Sequence, residues 1–273
     1  MGTTRCLVMG ILNVTPDSFS DGGRWMDTDV AIARGLELRD EGADIVDVGG
    51  ESTRPGAERV DPSVELGRIR PVVMALVQEG VKVSVDTMRA ATAAAAVDVG
   101  ASIVNDVSGG LADPAMAAFV ASTDVDFVAM HWRAHSTDMD DLDQYDDVVA
   151  EVRDELEARV EALVAAGVDA ERIILDPGLG FSKVAENNWP LLACLECFQG
   201  LGHRVLVGAS RKRFLGAVIP DDEGPTSREH ATTAVTALAA VSGAWAVRVH
   251  DARAARDAVH VAAAWQAARE REG

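Results

Sequence analysis

The feature that most constrains this chain is an alternation. Short apolar runs rich in β-branched residues are separated by longer, alanine-rich segments with helical start and stop signals. The runs are CLVMGILNV around Val8, DIVDVGG from Asp44, KVSVDT from Lys82, SIVNDVSG from Ser102, DFVAMH from Asp126, IILDPG from Ile173, VLVGAS from Val205 and WAVRVH from Trp245. Most are apolar at successive positions, as parallel strands covered on both faces are. Eight strand–helix units in 273 residues predict one domain, 1–273, folded as an α/β (β/α)8 TIM barrel. A doubly wound open sheet is the competing architecture.

The segments between the runs carry helix punctuation. One opens near Asp27 and stops at Gly42. Asp61 followed by Pro62 reads as an N-cap with proline in the first turn. Pro71 is expected to break that helix in two. Asp113–Pro114 repeats the start signal, an amphipathic stretch runs to Gly167, Thr226 and Glu229 have capping-box spacing, and Asp251 opens the last helix. Loops are expected at 15–27, 51–61, 131–145 and 220–225.

Lys and Arg number 25 against 44 Asp and Glu, a formal net charge of −19. Nucleic acid and anionic membranes are poor partners for such a chain. The N-terminus has no signal-peptide pattern and no run is long enough for a membrane span, so a cytoplasmic protein is expected. The 3 cysteines fit a reducing compartment. CLEC, Cys194 to Cys197, has redox-motif spacing without thioredoxin-like surroundings, and reads as two small helical residues.

In such barrels the chemistry gathers at the C-terminal ends of the strands. Those ends carry Asn13, GGESTRPG, Asp86, Asn105, His131, Asp176, GASRKR, and Arg248 with His250. Arg248 and His250 share one strand face and, with Arg54, suit a phosphate or diphosphate. Asn13 offers an oxygen to a hard cation completed by substrate phosphates. Asp86, Asn105 and Asp176 fit the donor edge of a nitrogen-rich ring, a metal, or acid–base work, and spacing does not separate these. Asp47 belongs either to the same site or to a polar barrel layer. Lys212, in a chain poor in lysine, stands after strand seven. DPGLGFSK lacks the phosphate-loop pattern, and His131 with His135 lacks a third zinc ligand.

MGILNVTPDSFSDGG from Met9 and DVGGESTRPG from Asp47 closely resemble the two hallmark segments of dihydropteroate synthases. SVDT, IVNDVSG, DPGLGF, GASRKRFLG and RVHD follow in that family's order, so the resemblance spans Cys6 to Ala268. It implies a Mg2+-assisted transferase of folate biosynthesis, a sulfonamide target, acting as a homodimer. Such enzymes join 4-aminobenzoate to (7,8-dihydropterin-6-yl)methyl diphosphate by a dissociative substitution. The resemblance places Asp86, Asn105, Asp176 and Lys212 around the pterin. It places Asn13, Thr53, Arg54, Arg248 and His250 at the diphosphate, with Asn13 on the metal. Phe19, Thr53, Pro55, Phe181, Ser210 and Lys212 border the aminobenzoate, and Arg248, His250 and Lys212 are the catalytic set. The loop 14–25, hinged at Gly22 and Gly23, is expected to close over the bound pterin and exclude water. A non-catalytic pterin-binding relative is the alternative. A pterin-binding methyltransferase domain would have no use for STRPG and GASRKR.

Both expected substrates are anions approaching an acidic chain through a local group of Arg54, Lys212, Arg213, Arg248 and His250. Electrostatic steering should therefore be weak. Association rates measured by stopped flow should not fall with added salt, and a steep fall would contradict this reading.

Overall fold

The structure is a computed structural model, and it describes residues 5–15, 24–51, 60–133 and 144–272, with the side chains of 24–27 and 272 left aside. The expected loop residues Phe19, Gly22, Gly23, Thr53, Arg54, Pro55 and His135 lie outside the described residues.

The strands are β1 (Leu7–Asn13), β2 (Ile45–Gly49), β3 (Val83–Asp86), β4 (Ile103–Asp106), β5 (Asp126–Met130), β6 (Ile173–Asp176), β7 (Arg204–Val207) and β8 (Ala246–Val249). Each pairs in parallel with its sequence neighbour, and β1 pairs with β8, closing the barrel. The predicted (β/α)8 barrel is the observed fold, and the open sheet is excluded by the β1–β8 ladder.

Helices α1 (Arg24–Glu41), α2 (Pro62–Gln78), α3 (Ala90–Val97), α4 (Met116–Ala121) and α5 (Val148–Ala165) cover the first strands. Then come α6 (Ala185–Ala193), α7 (Leu195–Gln199), α8 (Arg213–Gly216), α9 (Glu229–Val241) and α10 (Ala252–Glu272). The expected punctuation is visible at several starts. Asp61 accepts from the Ser63 N–H at 2.8 Å, and Asp251 accepts from the Ala254 N–H at 3.0 Å. Asp113 serves two helices, taking the Ala115 N–H before α4 and the Ala90 N–H at the start of α3.

Four local expectations are corrected. Helix α1 begins at Arg24, inside the predicted loop. Helix α2 runs unbroken through Pro71, because Ile69, Val72, Val73 and Leu76 on its inner face are fully buried and packing outweighs the lost hydrogen bond. Glu229 forms no capping box with Thr226. Its carboxylate accepts from Arg211 Nε at 2.6 Å, and a 3-10 turn, Pro225–Arg228, leads into α9 instead. Cys194 and Cys197 are joined by a disulfide at the α6–α7 junction, where their Cα atoms are 5.5 Å apart, within bridging reach.

Two apolar layers hold the architecture. The outer one fills the space between strands and helices. The inner one plugs the barrel with Met9, Ile45, Ile103, Val128, Ile174, Leu206 and Ala246. Side chains two residues further along each strand point to the same interior. From β2, β4, β6 and β8 those residues are Asp47, Asn105, Asp176 and Arg248. An apolar floor thus carries a polar layer facing the C-terminal mouth.

Proline inside a helix costs about 3 kcal/mol relative to alanine, partly offset by its smaller unfolded-state entropy. Pro71→Ala should therefore raise the stability of the chain by roughly 2 kcal/mol in equilibrium denaturation. A lower midpoint would show that the proline ring itself packs.

Candidate active site

Arg248 lies at the centre of the polar layer. Its Nε donates to Asp47 Oδ2 at 2.6 Å and its Nη2 to Asp86 Oδ2 at 2.7 Å. Asn105 Nδ2 donates to the same Asp47 oxygen at 3.0 Å. One cation therefore bridges β8 to β2 and β3, and the amide of β4 joins the same cluster. Asp47 is completely buried, and its Oδ1 has no hydrogen-bond partner among the described residues. The neighbouring inward residue on β3, Ser84, has a buried Oγ in the same condition.

Asp176 stands on β6 beside Lys212, which follows β7. A Cβ at Gly208 would lie 3.5 Å from Asp176 Oδ2 and 3.9 Å from Lys212 Nζ, so a bare backbone borders both groups. Lys212 Nζ donates to the Leu179 carbonyl and lies 4.5 Å from the centre of the Phe181 ring. At the rim, Ser210 Oγ is 2.9 Å from His250 Nδ1 and accepts from the His250 N–H at 3.2 Å. Asn13 ends β1, half-buried at the mouth.

The electrostatics are those of a carboxylate-rich cavity. Asp47, Asp86 and Asp176 face Arg248 and Lys212. Burial pushes Asp86 up to about 7, against the pull of Arg248, with Asp47 adding to the rise. Burial also raises Asp176, opposed by Lys212 and the Gly178 N–H. Burial lowers Lys212 to about 8, with Asp176 opposing. Burial and the neighbouring Lys212 lower Lys183 to about 7, with Asp176 opposing. Carboxylates stripped of water favour a ligand that brings N–H donors to them.

The structure thus brings together Asp86, Asn105, Asp176, Lys212, Arg248 and Phe181, with Ser210 and His250 above and Asn13 across the mouth. Asp47, which the sequence left between two readings, is bonded directly to this set. Its place two residues after the apolar Ile45, on the same strand face, was the available signal. Arg89 was missed altogether. It bonds Glu51 and Glu65 and donates to the Val60 carbonyl at 2.8 Å, tying the two flanks of residues 52–59. Nothing in its local pattern marks that task.

Residues 9–250 match the family model described as pterin binding enzyme. The chain is 56% identical over 263 residues to dihydropteroate synthase of Mycobacterium leprae, covering 94% of this chain and 93% of that protein. It belongs to the dihydropteroate synthase family. The structure superposes on Xanthomonas albilineans dihydropteroate synthase with 4-aminobenzoic acid at a TM-score of 0.89, with 44% identity, covering 97% of this chain and 93% of that one. The same synthase in complex with 7,8-dihydropteroate gives a TM-score of 0.86 at 42% identity, covering 97% and 94%.

The raised Asp86 carries a pH signature. Its ordinary value is 3.8 and its folded value about 7, so the folded chain holds a proton that the unfolded chain has released. The resulting stability is full below about 4 and is lost as pH rises towards about 7. Asp86→Asn should flatten that limb of a stability–pH profile measured by denaturant titration. An unchanged slope would show that Asp86 is ionised throughout.

Proposed function

We infer that the chain joins 4-aminobenzoate to (7,8-dihydropterin-6-yl)methyl diphosphate, yielding 7,8-dihydropteroate and diphosphate in folate biosynthesis. The observation that carries this is the polar layer of Asp47, Asp86, Asn105, Asp176 and Arg248 on an apolar barrel floor, with Lys212 beside it. The Xanthomonas albilineans relative crystallised with 4-aminobenzoic acid and with 7,8-dihydropteroate supports the choice of substrates. The non-catalytic alternative has no such support.

In this reading Asp86, Asn105 and Asp176 receive the amino and ring N–H groups of the pterin. Lys212 meets an acceptor of the same ring. The bond from the methylene carbon to the diphosphate oxygen breaks, and the electron pair leaves with diphosphate. Arg248, His250 and Arg54 balance its charge, with Thr53 donating a hydrogen bond. The methylene carbon becomes electron-poor and shares its positive charge with the pterin ring above the carboxylates. The aniline nitrogen attacks that carbon, the C–N bond forms, and the nitrogen loses a proton. Phe181, Ser210, Lys212, Pro55 and Phe19 shape the aminobenzoate side.

Among the described residues no group of three or more His, Cys, Asp or Glu is set to hold a metal. A Mg2+ carried by diphosphate oxygens and water needs little more than one protein amide, and Asn13 at the mouth fits that role. Bound there, Mg2+ would neutralise charge on the leaving diphosphate. Among the described residues no helix is long and apolar enough to cross a membrane. A cytoplasmic location stays the expectation from the sequence. Leu238, Val261 and Trp265 stand exposed on α9 and α10, and a second copy of the chain is the proposed cover, forming a homodimer.

Purified chain should release diphosphate and form dihydropteroate in equal amounts, with Mg2+ required. Lys212→Met should lower kcat/KM by about two orders of magnitude, the scale of losing a buried charged contact to the reacting ligand. No product with retained pterin binding would favour the non-catalytic reading.

A further inference from the structure

The connection from β6 to α6, residues 177–184, carries Phe181 and approaches Lys212. Its Gly178 carbonyl accepts from the Phe181 N–H in a turn, and its Val184 carbonyl from the Asn187 N–H of α6. Two ammonium groups also bond its carbonyls. Lys212 Nζ donates to the Leu179 carbonyl from one side. On the other, Lys183 Nζ donates to the Gly178 carbonyl at 3.1 Å and the Phe181 carbonyl at 3.0 Å, and lies 3.0 Å from His131 Nδ1. An ammonium has three N–H bonds, and here it finds three acceptors.

His131 is set up to be the third. Burial, with the Lys183 charge beside it, lowers its pKa to about 4, so the ring is neutral. With Nδ1 accepting from Lys183, the ring proton sits on Nε2 and is donated to Glu155 Oε2 at 2.9 Å. Arg133 holds both oxygens of that carboxylate, and its guanidinium lies 4.0 Å from the centre of the Tyr145 ring. The Tyr145 hydroxyl donates to the Ser182 carbonyl at 3.0 Å. The connection is pressed against the end of β5. Gly178 has φ +68°, and a Cβ there would collide with the His131 carbonyl. Of these groups only Phe181 and Lys212 are assigned to substrate positions above.

We propose that Lys183 is a positioning residue, which grips the β6–α6 connection against His131 and so holds the Phe181 ring against Lys212 as one wall of the aminobenzoate pocket. The proposal rests on the reading of Phe181 and Lys212 as aminobenzoate contacts. Asp176 belongs to the barrel strand itself and Lys212 to the segment after β7, so both pterin contacts keep their places without the grip. Loss of Lys183 should therefore weaken aminobenzoate handling and spare the pterin side.

The test is Lys183→Met in the full chain, assayed at pH 6.5, with amide hydrogen exchange and steady-state kinetics on both substrates. The Gly178, Gly180 and Phe181 amides should exchange faster while those of β6 and β7 stay protected. The KM for 4-aminobenzoate should rise about tenfold, the scale of one lost buried hydrogen bond, and that for the pterin diphosphate should stay within about twofold. An unchanged aminobenzoate KM, or an equal rise in both KM values, overturns the proposal. Unchanged exchange of the three amides overturns the grip itself. If the variant does not fold, His131→Phe, which removes the third acceptor together with the Nε2 donor to Glu155 and leaves Lys183 in place, is judged by the same criteria. If the wild-type chain makes no dihydropteroate, the proposed function falls, and the exchange data alone decide whether Lys183 holds the connection.

Discussion

The structure depends on how one guanidinium is kept inside the barrel. Arg248 on β8 is bonded to Asp47 and Asp86, 201 and 162 residues earlier in the chain. A buried charge left unpaired costs several kcal/mol, so none of the three can be removed independently. The pairing crosses the barrel interior, skipping β1, and is possible only once β8 has closed against β1. Closure of the barrel and assembly of the site floor are thus one event. The apolar plug beneath keeps water from the lower side of these groups and leaves the C-terminal mouth as their outlet.

That arrangement explains the electrostatic character of the cavity. Three carboxylates share two cations, and burial penalises the ionised forms of Asp86, Asp176 and Lys212. The floor therefore retains protons at pH values where free carboxylates have lost them. A ring that brings several N–H donors relieves the deficit better than water confined to the same space. In the proposed function such a floor takes a pterin by its hydrogen-bonding edge, while Arg248, His250 and Arg54 meet the charged leaving group. A net charge of −19 does not oppose this, because exposed charge is screened within about 8 Å at physiological salt.

A second design theme is the use of ionic groups to hold connections that have no secondary-structure partners. Lys183 bonds the Gly178 and Phe181 carbonyls of the β6–α6 connection, and Lys212 that of Leu179. Arg89 joins Glu51, Glu65 and the Val60 carbonyl on the two flanks of residues 52–59, and Arg68 donates to the Gly50 carbonyl at 2.8 Å. Asp113 caps two successive helices. Each device gives a backbone group or a carboxylate outside the regular elements a partner, and those of Lys183, Arg89 and Asp113 join segments on different βα units.

The sequence by itself determined the barrel, the order of its strands and the polar character of their C-terminal ends. These follow from local patterns: continuous apolar runs, caps such as Asp61–Pro62 and Asp251, and glycine stops. The long motifs also made the family legible, and with it the expectation that Asp86, Asn105, Asp176 and Lys212 share one site. Only the tertiary structure decided that Arg248 turns to Asp47 and Asp86, that Asp47 belongs to the site, and that Glu229 answers Arg211 rather than Thr226. It also decided that α2 continues through Pro71 and that Lys183 meets His131. The reason is physical. Periodicity records which way a side chain faces and where an element ends, whereas a buried charge chooses its partner from whatever the closed barrel brings within about 3 Å, at any distance along the chain.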